Sequence, residues 1–217
     1  MKKSLIPFFV LIMVVFNSCI GLKIDIQMNK DGSGKVKMEY RISQTLSNIG
    51  NFEGNEHLPV IPVGRSDWQR TISRIEGARL SSYSSSKKGP DTVTTVVINY
   101  SNPEALIAIL DPALKNTEKN INNNSGSFNL ILSDTELNSK YDKNLIESAR
   151  KMFTDYNFTF TFNAPSSSTL TITDGTGSQI SPPSVKDVIL SGRRVSMSIG
   201  MMDLIECDDG FGVRVNW

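Results

Sequence analysis

Cys19 is the residue in this chain whose neighbours point most directly to a chemistry. It follows Asn17-Ser18 at the end of an apolar run, and the peptidase that exposes a cysteine for attachment of diacylglycerol requires a small residue just before it. Phe16-Asn17 is looser than the usual Leu-Ala or Leu-Ser pair, so this is a relaxed form of that motif. Ordinary secretory cleavage fits less well, because Asn17-Ser18-Cys19 offers no Ala-x-Ala. The rest of the N-terminus agrees. Lys2 and Lys3 precede a twelve-residue run from Leu5 to Phe16, broken only by Pro7, whereas a helix needs roughly 20 apolar residues to cross a bilayer. Residues 1–18 therefore read as a lipoprotein signal peptide, and residues 19–217 as one envelope domain carried on palmitate-type acyl chains at Cys19.

No other residue brings a constellation with it. Cys207 is the second of two cysteines; with Cys19 in a thioether it has no disulfide partner, and its place after Leu204-Ile205-Glu206 suits a small buried thiol. His57 is the single histidine, without an HExxH or CxxC that would make a metal or acid–base centre. Asn29-x-Asp31-x-Ser33-Gly34 copies the first half of a calcium-binding EF-hand loop. Its twelfth position, however, is Tyr40 where a bidentate Glu should stand, so a hairpin turn is the expectation. Asp174-Gly175-Thr176-Gly177 and Asp208-Asp209-Gly210 are acidic turns of the same kind. GxSxG, Walker and GxGxxG motifs are absent. The expectation is no catalytic residue, no metal, no cofactor and no enzymatic activity.

Charge narrows the partners. The chain has 23 basic and 22 acidic residues; loss of Lys2 and Lys3 with the signal peptide leaves the mature chain close to neutral. That excludes a strongly basic surface of the kind that binds nucleic acid through phosphates. Beyond the leader there is no second apolar run long enough for a span, so the lipid is the expected membrane anchor.

The elements that must position these residues follow from periodicity. Leu22, Ile24, Ile26 and Met28 alternate with polar residues, the Asn29–Gly34 turn follows, and Val36, Met38, Tyr40 and Ile42 alternate again, which is an antiparallel hairpin. Leu58 to Val63 is expected to be extended. Ser66 is the expected cap of a helix that carries Trp68, Ile72 and Ile75 on one face and stops at Gly77. Arg79–Ser86 and Thr92–Tyr100 form a second hairpin, and Asn102-Pro103-Glu104 opens a short helix to Leu110. Residues 116–126, rich in Asn, Lys and Ser, read as a solvated loop, and Phe128–Leu132 as a short strand. A helix is expected from Asp142, with Leu145, Ile146, Ala149, Met152 and Phe153 at helical spacing. Period two returns in Phe158, Phe160 and Phe162, in Leu170 and Ile172, in Val195–Ile199, and in Phe211, Val213, Val215 and Trp217. The sum is an α+β fold with a mainly antiparallel, twisted sheet of about eight strands and about three helices.

Phe158, Phe160, Phe162 and Trp217 are the candidate ligand-binding residues. Alternating aromatics are first of all how a strand buries a core, and the alternative is that an aromatic sheet face walls a cavity for an acyl chain. Three features together resemble a known family: Cys19 ahead of Gly21-Leu22-Lys23-Ile24-Asp25-Ile26, the Asp31-Gly32-Ser33-Gly34-Lys35-Val36 turn, and the closing stretch from Ser191 to Trp217. The chain is similar in these to LppM-like lipoprotein domains and to spirochaetal-type lipoproteins. The resemblance implies an α+β fold with a lipid-sized apolar cavity and a role in the bacterial cell envelope. The expected function is thus a membrane-anchored lipoprotein that binds an apolar or lipid-like envelope ligand, or one that docks an envelope protein. Only Ile20 and Gly21 separate Cys19 from Leu22, about 7 Å of extended chain, so the first strand is expected to start close to the headgroups.

Overall fold

A computed structural model describes residues 20–43, 64–89, 91–110, 117–122, 125–133, 156–181, 184–207 and 209–217. Cys19, His57, Asp208, the Leu58–Val63 stretch and the helix expected from Asp142 lie outside the described residues.

The first strand begins earlier than its alternation suggests. β1 runs Ile20–Met28 and pairs antiparallel with β2, Gly34–Ser43, so Ile20 and Gly21 are strand residues and not a spacer. Asn29-Asp31-Ser33 makes the turn, with the Asn29 N–H on the Ser33 carbonyl at 2.8 Å. Helix α1, Arg65–Ile72, is capped differently from expectation: Gly64 is the N-cap, and the Asp67 carboxylate, not the Ser66 hydroxyl, accepts its N–H at 3.3 Å. A carboxylate three residues into a helix serves this purpose as well as a hydroxyl at its start. β3, Ala78–Lys88, and β4, Asp91–Tyr100, form the second hairpin as read. The short helix α2, Pro103–Leu110, is capped by Asn102, whose Oδ1 accepts the Ala105 N–H at 2.8 Å.

The second half departs further. Residues 117–122, read as loop, form strand β5, paired antiparallel with β6, Ser125–Ser133. Asn and Lys disfavour strand on average, but the backbone pairing of an edge strand tolerates them. Phe158–Phe162 and Leu170–Ile172 are one strand, β7, Asn157–Thr173. It bulges at Ala164–Ser167, where Pro165 has no N–H to give and the register against β9 slips between Asn163 and Ser168. The short β8, Lys186–Ile189, was not legible. β9, Ser191–Gly200, the five-residue helix α3, Met201–Ile205, and β10, Phe211–Asn216, close the chain.

The ten strands of the described residues make one mixed sheet, two more than expected, in the order β3-β4-β2-β1-β7-β10-β6-β5, with β9 and β8 on the other edge of β7. Most pairs are antiparallel. The exception is β1 with β7, whose parallel ladder sets Leu22, Ile24 and Ile26 beside Phe158, Phe160 and Phe162. Along β7 the first half pairs with β1 and the second half with β10, so its bulge is where the two ends of the sheet meet.

One face of β1, β2, β4, β7 and β9 is apolar. Ile24, Ile26, Val36, Met38, Val96, Ile98, Phe160, Val195 and Met197 are all buried there. α1 and α2 pack toward β3 and β4, and α3 against β7 and β9. The opposite face is polar, tied by Lys23–Glu39 at 3.7 Å, Asn163 Nδ2 to Asp25 Oδ1 at 2.9 Å, and Thr159 with Ser198 at 3.2 Å. Phe160 sits at the centre of the apolar face, between Ile24 and Met197. Truncating it to Ala is expected to cost about 3–5 kcal/mol of unfolding free energy, against under about 1 kcal/mol for Thr159→Ala on the polar face; urea titration of both variants checks this.

Candidate functional site

The end of the sheet from which β1 starts is built by residues far apart in sequence. Gly21 lies level with Arg41 on one side, and Leu22 with Phe158 on the other. Beneath it stands a carboxylate that sequence reading did not single out. Asp91, 5 % exposed, meets Arg41 Nε at 3.4 Å and accepts the Tyr156 hydroxyl at 3.0 Å. A Cβ on Gly21 would sit 3.4 Å from the Tyr156 ring and 3.8 Å from Arg41 Cδ. Arg41, Asp91 and Tyr156 thus form a clamp around the start of β1, joining β2, β4 and the approach to β7. Asp91 is the buried member, Arg41 being exposed and Tyr156 half-buried, and a buried carboxylate that loses a partner costs more than the pair contributes on average.

Phe158, Phe160 and Phe162 point to the apolar face and are 2 %, 0 % and 0 % exposed. Trp217 is half-buried and stacks on Phe162, with ring centroids 5.4 Å apart and planes at 29°. Phe128 completes the group at 6.4 Å from Phe162. The sheet therefore brings the four candidate ligand residues together at its apolar face, with Phe158 toward the Gly21 end and Trp217 at the far end. Gly126 makes the seat for the indole: it exchanges backbone hydrogen bonds with Trp217, and a Cβ there would lie 2.5 Å from the ring. Gly126 was read only as part of a loop.

A second buried polar contact supports the helix side of the core. Trp68 Nε1 donates to the Tyr40 hydroxyl at 3.1 Å, and burial raises the Tyr40 pKa above its ordinary value. Tyr100, also raised by burial, donates to the Gln27 carbonyl at 2.9 Å.

The acidic turns are organised internally. Asp31 Oδ1 accepts the Ser33 hydroxyl at 2.7 Å and its N–H at 3.1 Å. Asp174 Oδ1 accepts the Thr176 hydroxyl at 2.7 Å and the N–H groups of Thr176 and Ser178. Those hydroxyl bonds, then the backbone ones, hold both carboxyl groups below the usual carboxylate range. Each is the turn chemistry that closes a hairpin. Among the described residues no three His, Cys, Asp or Glu side chains group as a metal site, and Cys207 is half-buried.

No family model and no curated protein matches this chain. Among solved structures it is similar to the folded domain of the LppM protein of Mycobacterium tuberculosis, determined by NMR, with a TM-score of 0.42 at 10 % identity over 92 % of this chain and 91 % of that one. Overlap of that order carries no argument about what the chain does. The spirochaetal side of the resemblance gains no match.

The clamp generates a measurable coupling. In a double-mutant cycle of Asp91→Asn and Tyr156→Phe, urea unfolding is expected to give an interaction energy of about 0.5–3 kcal/mol, whereas strict additivity would mean that the two side chains do not act together.

Proposed function

We propose that this chain is a bacterial lipoprotein, anchored to an envelope membrane through diacylglycerol on Cys19, whose domain is a non-enzymatic binding module for an apolar, lipid-like ligand. The observation that carries the reading is the position of Ile20. It is the first residue of a strand that pairs with β2 from Ile20 and with β7 from Leu22, and it is covalently next to Cys19. A lipid on that cysteine has no linker through which to hold the domain away from the bilayer, so the end of the sheet built by Gly21, Arg41, Asp91 and Tyr156 lies at the headgroups. Two acyl chains at about 0.8 kcal/mol per buried methylene suffice for stable attachment where one would be marginal. A ligand would enter from that end, without crossing water, and part the buried rings of Phe158, Phe160 and Phe162.

One observation favours a second reading, a lipoprotein that docks an envelope protein. Val188, Ile189 and Leu190 are consecutive and 40 %, 49 % and 47 % exposed, an apolar strip on an edge strand that no element of the described chain covers.

A Cys19→Ser protein exported behind an ordinary cleavable secretory leader separates the parts of this proposal. Recovery in the soluble fraction, with lipid adducts in native mass spectrometry, is the expected result. Firm retention in the membrane fraction would overturn the anchor. A soluble protein of bare mass that binds no apolar dye would overturn the lipid ligand and leave the docking reading.

A further inference from the structure

Strand register places a cationic tip beside the anchor. Ile20 is level with Ile42, Ile42 with Thr92, and Thr92 with Lys87; one step on, Ser43, Asp91 and Lys88 share the next line. Cys19 is bonded to Ile20, within about 3.8 Å Cα to Cα. The β3–β4 hairpin tip therefore reaches the level of the lipidated residue, three strand spacings away, or about 14 Å. Lys87 and Lys88 are exposed, and Gly89, at φ +62°, has open space around it.

The rest of this end does not offset the tip's charge at the same flank. Arg41 is matched by Asp91 and Lys23 by Glu39. On the other side of β1, Asn157 pairs with Gly200, and α3 follows with the exposed carboxylate of Asp203 and no basic residue in its last turn. Among the described residues the anchor end is thus positive at the β3 edge and negative at α3.

From this we infer that the domain, resting on the anchor reading above, stands tilted on the bilayer with Lys87 and Lys88 on anionic lipid headgroups and α3 lifted away. Two lysines at the surface of an anionic leaflet are attracted within a Debye length, about 8 Å at physiological salt, and carboxylates are repelled over the same range. The exposed strip Val188–Leu190 cannot take this role. Ile189 is level with Ser196, Thr161 and Asp25, about 20 Å along the strands from Cys19, and laying it on the membrane would drive the acidic α3 corner into the headgroups.

The test uses the lipidated full-length protein in vesicles, with Cys207→Ser and a fluorophore on Ser86→Cys, and nitroxide-headgroup lipid as quencher. Stronger quenching is expected on equal parts phosphatidylcholine and phosphatidylglycerol than on phosphatidylcholine alone. The excess should vanish at high salt and in Lys87→Glu/Lys88→Glu, yet persist in Lys35→Glu/Lys37→Glu, which changes charge equally on the same sheet but toward the other end of β2. Equal quenching in both vesicles, or equal loss in both double variants, overturns the inference while flotation with the vesicles leaves the anchor intact. Failure of the unsubstituted protein to float overturns both.

Discussion

The parallel ladder that lays Leu22–Gln27 of β1 along Phe158–Asn163 of β7 holds two blocks of sheet together. On one side stand β2, β4 and β3; on the other, β9, β8 and the β10-β6-β5 group. β1 is the sole bridge between the blocks in the hydrogen-bonded order of the described strands, and its apolar residues Ile24 and Ile26 face Phe160 and Phe162 in the same core. A parallel pairing of residues so distant in sequence closes a long loop before it is rewarded. Its formation is therefore expected late in folding, after the local β1–β2 and β3–β4 hairpins.

That placement is unusual for the first residues of a domain, which ordinarily fray unless tied down. Here the tie is double. Backbone pairing fills one edge of β1 from Ile20 and the other from Leu22, and Arg41, Asp91 and Tyr156 close around Gly21. A strand held this way transmits position: whatever is attached at Cys19 is attached to the middle of the sheet, not to a flexible lead. The proposed apposition to the membrane and the proposed tilt both derive from this rigidity.

Much of the fold was legible where the determining interactions are local. The two hairpins at β1–β2 and β3–β4 announce themselves through alternation and turn residues such as Asp31-Gly32, and Asn102 declares the start of α2. The aromatic strip of β7 was legible as the buried face. What periodicity does not carry is the identity of a strand's neighbour, so the parallel β1–β7 pair and the continuity of β7 through Pro165 were invisible. β5 and β8 were missed because each is a short edge strand without an alternating pattern, the first with Ile121 as its one apolar residue and the second wholly exposed. For the site, Cys19 is read from a purely local pattern and lies outside the described residues. The Arg41–Asp91–Tyr156 clamp could not, since a carboxylate that opens a strand after Gly89-Pro90 looks like any turn residue until the sheet brings Arg41 and Tyr156 to it.

The most direct measurement of the central claim is amide hydrogen exchange of β1 in the folded protein. Ile24 and Ile26 are predicted to exchange only as slowly as global unfolding allows, in step with Phe160 and Met197 at the centre of the sheet. Rapid exchange at Ile24 and Ile26 while Phe160 and Met197 stay protected would contradict it, because the segment after Cys19 would then be a loose leader and could not hold the domain against a membrane.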